Sequence, residues 1–247
     1  MLSHLLELRR RILSIIITFL MVCLLMYGFV TDLFQALVVP LVQVLSSKDA
    51  LIATEITSPF LTPIKLTINA ASLVTAPIVL WHIWRFIAPG LYRHERQTVR
   101  FAMIASYVLF FSGMLFGFYV VLPFIFSFFA QAVPFCVRLM PDMASAVDFI
   151  THMLLVFGLC FQIPLICVVF VRLQLVSIDM LKQIRPYVIV LAFVLGMLLT
   201  PPDVLSQVML AVPLCLLYET GIIFSRLTRL HLVKNSTILK SNTEGDV

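Results

Sequence analysis

Two carboxylates stand out by their surroundings. Glu7 lies in MLSHLLELRRR, residues 1–11, a short amphipathic start that ends on Arg9, Arg10 and Arg11. Glu95 lies in IAPGLYRHERQTVR, residues 87–100, among Arg93, His94, Arg96 and Arg100. A single carboxylate in a basic stretch can receive a cationic ligand beside a membrane. The competing account of the second stretch is a solvated loop whose charges fix topology. For Glu7, the i,i+4 spacing to Arg11 also suits a local helical ion pair.

No constellation for bond-making chemistry accompanies them. His4, His82, His94, His152 and His231 form neither HExxH nor an i,i+4 pair. There is no Walker motif, no G-x-S-x-G and no GxGxxG, so an enzyme is not expected. Cys23, Cys136, Cys160, Cys167 and Cys215 show no CxxC and mostly lie in apolar runs. They read as small core residues, and neither a metal nor a cofactor is implied.

The elements that hold these residues are set by hydrophobicity. Of 247 residues, 62% are hydrophobic and 12% charged, with mean hydropathy +1.09. A soluble domain is nearer a quarter charged. Bilayer-length apolar runs recur, which predicts an all-α integral membrane protein in one polytopic domain. The predicted spans are Ile12–Val30, Leu66–Trp84, Phe101–Phe129, Ala146–Val171, Tyr187–Leu199 and Val204–Phe224. The first run is too long for a signal peptide, and no A-x-A-like site follows it, so it is read as uncleaved. Pro89 and Gly90 stop the helix that leads into the Glu95 stretch. Thr31–Lys65 is too polar to span and reads as an external cap with short helices. Ala130–Ser145 reads as a second external loop, and Arg172–Arg185 as a cytoplasmic one. Tyr187–Leu199 covers only about 20 Å at 1.5 Å per residue, so the fifth and sixth spans read as a short hairpin around Thr200-Pro-Pro-Asp203. The tail, 225–247, is expected to be cytoplasmic and disordered at its end.

Charge fixes the orientation. With six spans and both termini inside, cytoplasmic segments hold all but Lys48, Lys65 and Arg138 of the 17 Lys and Arg residues. That is the positive-inside asymmetry, and it accounts for the net charge of +5 without nucleic acid as a partner.

Three polar groups fall at membrane depth. Gln162, in FGLCFQIPL, must satisfy a four-valence amide, by bonding inside the bundle or by facing a cavity or partner helix. Glu219, near the cytoplasmic end of the sixth span, is expected to be paired or neutral, reaching toward Arg226 or water. Asn69, near the external end of the second span, reads as structural. Gly113-x-x-x-Gly117 in the third span permits close helix contact.

These residues together resemble the TatC family, the core subunit of the twin-arginine protein translocase. His4-Leu-Leu-Glu7-Leu-Arg9-x-Arg11 is similar to the family's HLxELRxR start, and Phe86-Ile-Ala-Pro-Gly-Leu-Tyr-Arg-His-Glu-Arg96 to its first cytoplasmic loop. Ser58-Pro-Phe60, Thr62-Pro-Ile-Lys65, Arg185-Pro-Tyr187 and Gly196-Met-Leu-Leu-Thr-Pro-Pro-Asp203 also match. The likeness runs from residue 4 to about 226 and is strongest to proteobacterial members.

The resemblance implies six tilted helices curved into a glove-like bundle, with the fifth and sixth short. It implies recognition of twin-arginine signal peptides and export of folded proteins on the proton-motive force. The location would be the bacterial inner membrane, and the partners the single-span subunits TatA and TatB, with self-association. It assigns signal recognition to Glu7, Arg9, His94, Glu95 and Arg96, and contact with a partner helix to Met197, Thr200 and Gln207. Arg96 or Arg9 would hold the empty carboxylates until cargo arrives. Gln162 departs from the family, where Glu is frequent, so proton relay through that side chain is in doubt. The competing readings are a proton-coupled secondary transporter and a structural scaffold.

Overall fold

The computed structural model describes residues 2–42, 51–54, 56–87, 96–132, 140–199 and 204–244. His94, Glu95 and Thr200 lie outside the described residues. The described chain is almost entirely helical, and six stretches are long and apolar enough to cross a membrane. These are Arg9–Tyr27, Ser58–Arg85, Phe101–Gln131, Met143–Arg172, Ile178–Leu198 and Gln207–Thr228. The six-span expectation holds. The fifth and sixth, at 21 and 22 residues, are shorter than the second to fourth, at 28 to 31 residues. Contacts gather into two units, Met1–Leu159 and Cys160–Val247.

The first unit contains α1 (Leu2–Tyr27), α2 (Val30–Val42), α3 (Ser58–Ile87) and α4 (Arg96–Phe116), then a π-turn (Gly117–Val121), α5 (Leu122–Ala132) and α6 (Met143–Cys160). The π-turn has a local cause. Pro123 has no N–H to give Tyr119, and its ring would clash with that carbonyl in a regular helix. The turn widens, and the Leu122 N–H bonds to Gly117 O instead. Small residues set the contact between α4 and α6. A Cβ on Gly158 would stand 2.7 Å from Phe110 Cε2, and one on Gly117 would stand 3.3 Å from Phe157 Cβ. The close approach expected of Gly117 is therefore made against Phe157.

α3 starts at Ser58, eight residues before the predicted second span; Pro59 sits in the first turn, where the missing N–H costs little, and the helix continues through Pro63. At this end of the unit the loops are tied by Asp142. Its carboxylate accepts from Thr54 N–H and hydroxyl and from Ser145 N–H and hydroxyl at 2.9 to 3.2 Å. These bonds cap α6 and hold the segment around Ile52, which pairs with 141–143 through two backbone bonds. They also lower the Asp142 pKa to about 2.

The second unit contains α7 (Gln162–Arg172), α8 (Ile178–Leu199) and α9 (Val204–Glu244). The fourth span is interrupted at Phe161 because Pro164 leaves the Cys160 carbonyl without its helical donor. α8 corrects the predicted loop over Arg172–Arg185. Ser177 accepts the Met180 N–H and starts a helix nine residues before Tyr187. Polarity had marked that stretch as loop, but its charged groups ride on the helix. α9 likewise runs past the sixth span to Glu244, with no proline or glycine between Ser225 and Glu244 to stop it, and the very end of the tail, 245–247, lies outside the described residues. α7 and α9 pack closely at Gly221, where a Cβ would come 3.0 Å from Pro164 Cα. α8 and α9 are joined by Tyr218, whose hydroxyl donates to Leu181 O at 2.7 Å.

Candidate functional site

The first site is built on Glu7. α1 begins as an amphipathic helix, so residues four apart meet on one face. Glu7 and Arg11 form an ion pair there. Arg11 does more than close a local pair: its Nη1 donates to His82 O at 2.8 Å and its Nη2 to Arg85 O at 3.3 Å. Those carbonyls belong to the last turns of α3, where the dipole favours a cation, and Arg85 O is among the last four that lack a helical donor. The Arg11 side chain is only 14% exposed, whereas that of Glu7 is 43% exposed. The pair opens into a cavity of about 420 Å³ lined by Glu7, Arg10, Arg11, Ser14, His82 and Arg85. Arg9 is exposed. Arg96 is the first residue of α4. The cation on Glu7 is therefore Arg11, not Arg9: a residue two positions along a helix lies on another face.

The second polar site lies in the second unit. Glu219 on α9 accepts from Arg185 Nη2 on α8 at 2.7 Å. Arg226, the partner expected from sequence, lies two turns further along the same helix, while α8 brings Arg185 alongside. The pair closes one end of an apolar groove of about 280 Å³ between α8 and α9, lined by Val188, Phe193, Ala211 and Leu216 among others. Toward the other end of the hairpin, Gln207 Nε2 donates to Phe193 O at 2.8 Å. Its backbone lies 3.1 Å from where a Cβ on Gly196 would be. Met197, next to Gly196, is 60% exposed. Gln162 begins α7 and is 3% exposed. Asn69 donates to Asp148 and Thr151 at 3.0 Å each, beside a 3.4 Å contact of Lys65 with Asp148. This cluster is structural, at the opposite end of α3 from Arg11.

Sequence reasoning missed Arg11 as a tie between helices and Arg185 as the partner of Glu219. The i,i+4 spacing pointed to the local Glu7–Arg11 pair but not to the tie. Nothing in the spacing of Arg185 and Glu219, 34 residues apart, pointed to the second. No group of three or more His, Cys, Asp or Glu among the described residues is arranged to hold a metal ion.

Six apolar helices, with their ion pairs near the helix ends, define a multi-pass helical membrane protein. Comparison with known proteins narrows the class. Residues 3–213 match the family described as Sec-independent protein translocase protein (TatC). The TatC protein of Escherichia coli (strain K12) is 42% identical over 226 residues, covering 92% of this chain and 88% of that one. That of Haemophilus influenzae is 41% identical over the same length and coverage. A crystal structure described as the twin arginine translocase receptor TatC superposes with a TM-score of 0.82 at 31% identity, covering 91% of this chain and 98% of that one. The chain belongs to the TatC family, and so is a subunit of the twin-arginine translocase, acting in protein translocation.

Proposed function

We propose that this chain recognises twin-arginine signal peptides of folded cargo and supports their export on the proton-motive force. The single observation that carries the reading is Glu7. It is a half-exposed carboxylate at the mouth of a charged cavity, on an otherwise basic helix start. A guanidinium offers planar, always-charged donors that suit a carboxylate. The surrounding arginines repel cations that cannot make directed bonds. Glu95, with His94 and Arg96, supplies the second acceptor by family resemblance. The site faces the cytoplasm of a bacterial inner membrane, with both termini on that side, as the lysine and arginine distribution favours. Recognition and docking require no catalysis by the chain itself.

TatA and TatB are the partners, engaged by Met197, Thr200 and Gln207 at the hairpin; further copies of this chain complete the assembly. The exposure of Met197 supports such a contact. The test is site-specific crosslinking of a twin-arginine peptide to membranes carrying Glu7→Gln, Glu95→Gln or both. One charge-assisted hydrogen bond contributes about 1.5–3 kcal/mol, so each change should weaken binding roughly tenfold or more. Undiminished crosslinking in the double variant at equal membrane levels refutes the reading.

A further inference from the structure

The guanidinium of Arg11 meets three acceptors on two helices: the Glu7 carboxylate on its own helix, and His82 O and Arg85 O at the end of α3. Lysine could not replace it, because a single ammonium has no second amino group to reach His82 O while the first holds Glu7 and Arg85 O. We infer that Arg11 is a positioning and specificity-determining residue of the recognition site: it pins the Glu7 carboxylate to the end of α3 and leaves one oxygen of it for cargo. The inference rests on the proposed role of Glu7.

The geometry gives it two consequences. Arg11 engages Oε1 of Glu7, and no other bond to this carboxylate occurs among the described residues. Oε2 is thus offered at a fixed place on the cavity wall, in a side chain otherwise able to swing through several rotamers. The same contact offsets much of the Glu7 charge. A diffuse attraction for any cation is thereby weakened, while a directed hydrogen bond from a guanidinium to Oε2 survives. Arg10 and Arg85, which line the same cavity, add to the repulsion of undirected cations. Removing Arg11 should therefore act on discrimination as well as on affinity. The carboxylate becomes mobile, which weakens twin-arginine binding. It also becomes fully charged, which strengthens binding of twin-lysine sequences.

The experiment measures crosslinking of twin-arginine and twin-lysine peptides to membranes carrying Arg11→Gln, Arg11→Lys, Glu7→Gln and the Glu7→Gln/Arg11→Gln pair. Yields are expressed per inserted copy, so that reduced accumulation of a variant does not enter the comparison. In Arg11→Gln the ratio of twin-arginine to twin-lysine yield should fall roughly tenfold, the scale of one charge-assisted hydrogen bond. Arg11→Lys should fail to restore twin-arginine binding. Adding Arg11→Gln to Glu7→Gln should change little, since the two residues act as one unit. An unchanged ratio in Arg11→Gln, or full binding by Arg11→Lys, overturns the inference while leaving Glu7 as the acceptor. Undiminished twin-arginine binding by Glu7→Gln overturns the role of Glu7 and the inference with it. A purely structural Arg11 would lower both peptides alike and leave the ratio in place, which also overturns it.

Discussion

Replacing Gly158 by alanine tests the packing that fixes the first unit. The added Cβ would lie 2.7 Å from Phe110 Cε2 and 3.1 Å from Cδ2 and Cζ. Carbon atoms make their best contact at about 3.5–4.0 Å, so the shortfall is roughly 0.8 Å at the nearest atom. The ring has no room to retreat, because Phe110 is 0% exposed. Relief must come from separating α4 and α6, which also opens the contact of Gly117 with Phe157. Overpacking of a close-packed interior costs about 1–3 kcal/mol, and the helical preference of alanine over glycine returns about 1 kcal/mol. A clash of this depth belongs in the upper part of that range, so the net loss should be about 1–2 kcal/mol. Gly117→Ala, at 3.3 Å, should lose less, and Gly28→Ala, at 3.5 Å from Leu25 O, should lose nothing. Thermal unfolding of the purified protein in one detergent gives the ranking. Phe110→Leu added to Gly158→Ala should recover part of the loss. A Gly158→Ala protein as stable as Gly28→Ala, with no effect of the second change, would refute the close-contact argument.

Tyr218→Phe deletes the 2.7 Å bond to Leu181 O between α8 and α9; the same unfolding assay should show a loss of about 1 kcal/mol. Asp142 has a folded pKa lowered to about 2 by the Ser145 N–H above all, with the hydroxyls and the Thr54 N–H adding to it. Its contribution is complete above the unfolded carboxylate pKa of about 3.9 and is lost as pH falls through about 2. Wild type should therefore lose protease resistance of the 51–54 and 141–145 segments over that window, whereas Asp142→Asn should already show the reduced resistance at neutral pH. The effect should be modest, since water screens an exposed carboxylate. Gln162→Leu should reduce export at limiting translocase by an amount equivalent to about 0.6–2 kcal/mol, the scale of one membrane hydrogen bond. Gln162→Glu should export normally, because a protonated carboxyl both donates and accepts; normal export by the leucine variant would show the amide to be dispensable.

The spans were legible because a bilayer demands about 20 apolar residues in a row. Their ends were less so, and the reason is specific. Arg185 and Lys182 made the stretch up to Arg185 look like loop, yet Ser177 caps a helix there and Arg185 finds Glu219. Pro59 and Pro63 lie in the stretch read as an external cap with short helices, yet the helix of the second span begins there, at Ser58. Proline at a helix start and proline in a loop look alike in one dimension. At the candidate site, local spacing gave the Glu7–Arg11 pair. The carbonyls of His82 and Arg85 were invisible, because a backbone acceptor has no side-chain signature and lies more than 70 residues away.

The π-turn has a consequence for editing this chain. In a regular helix each residue advances about 100°, so removing one residue turns everything after it by nearly a third of a revolution. Inside Gly117–Val121 the outcome differs. The bond from Leu122 to Gly117 spans five residues where a regular helix uses four. Taking one residue out of this turn converts it to the regular kind and leaves the later faces in phase. Phe110 before the turn, and Leu122 and Ile125 after it, are all buried, and they would remain so. Pro123 would then meet a carbonyl it cannot bond, so the deletion should be paired with Pro123→Ala. The third span thus contains one place where its length can be changed by a single residue without re-threading its packing, and the same deletion a turn earlier or later should destroy that packing.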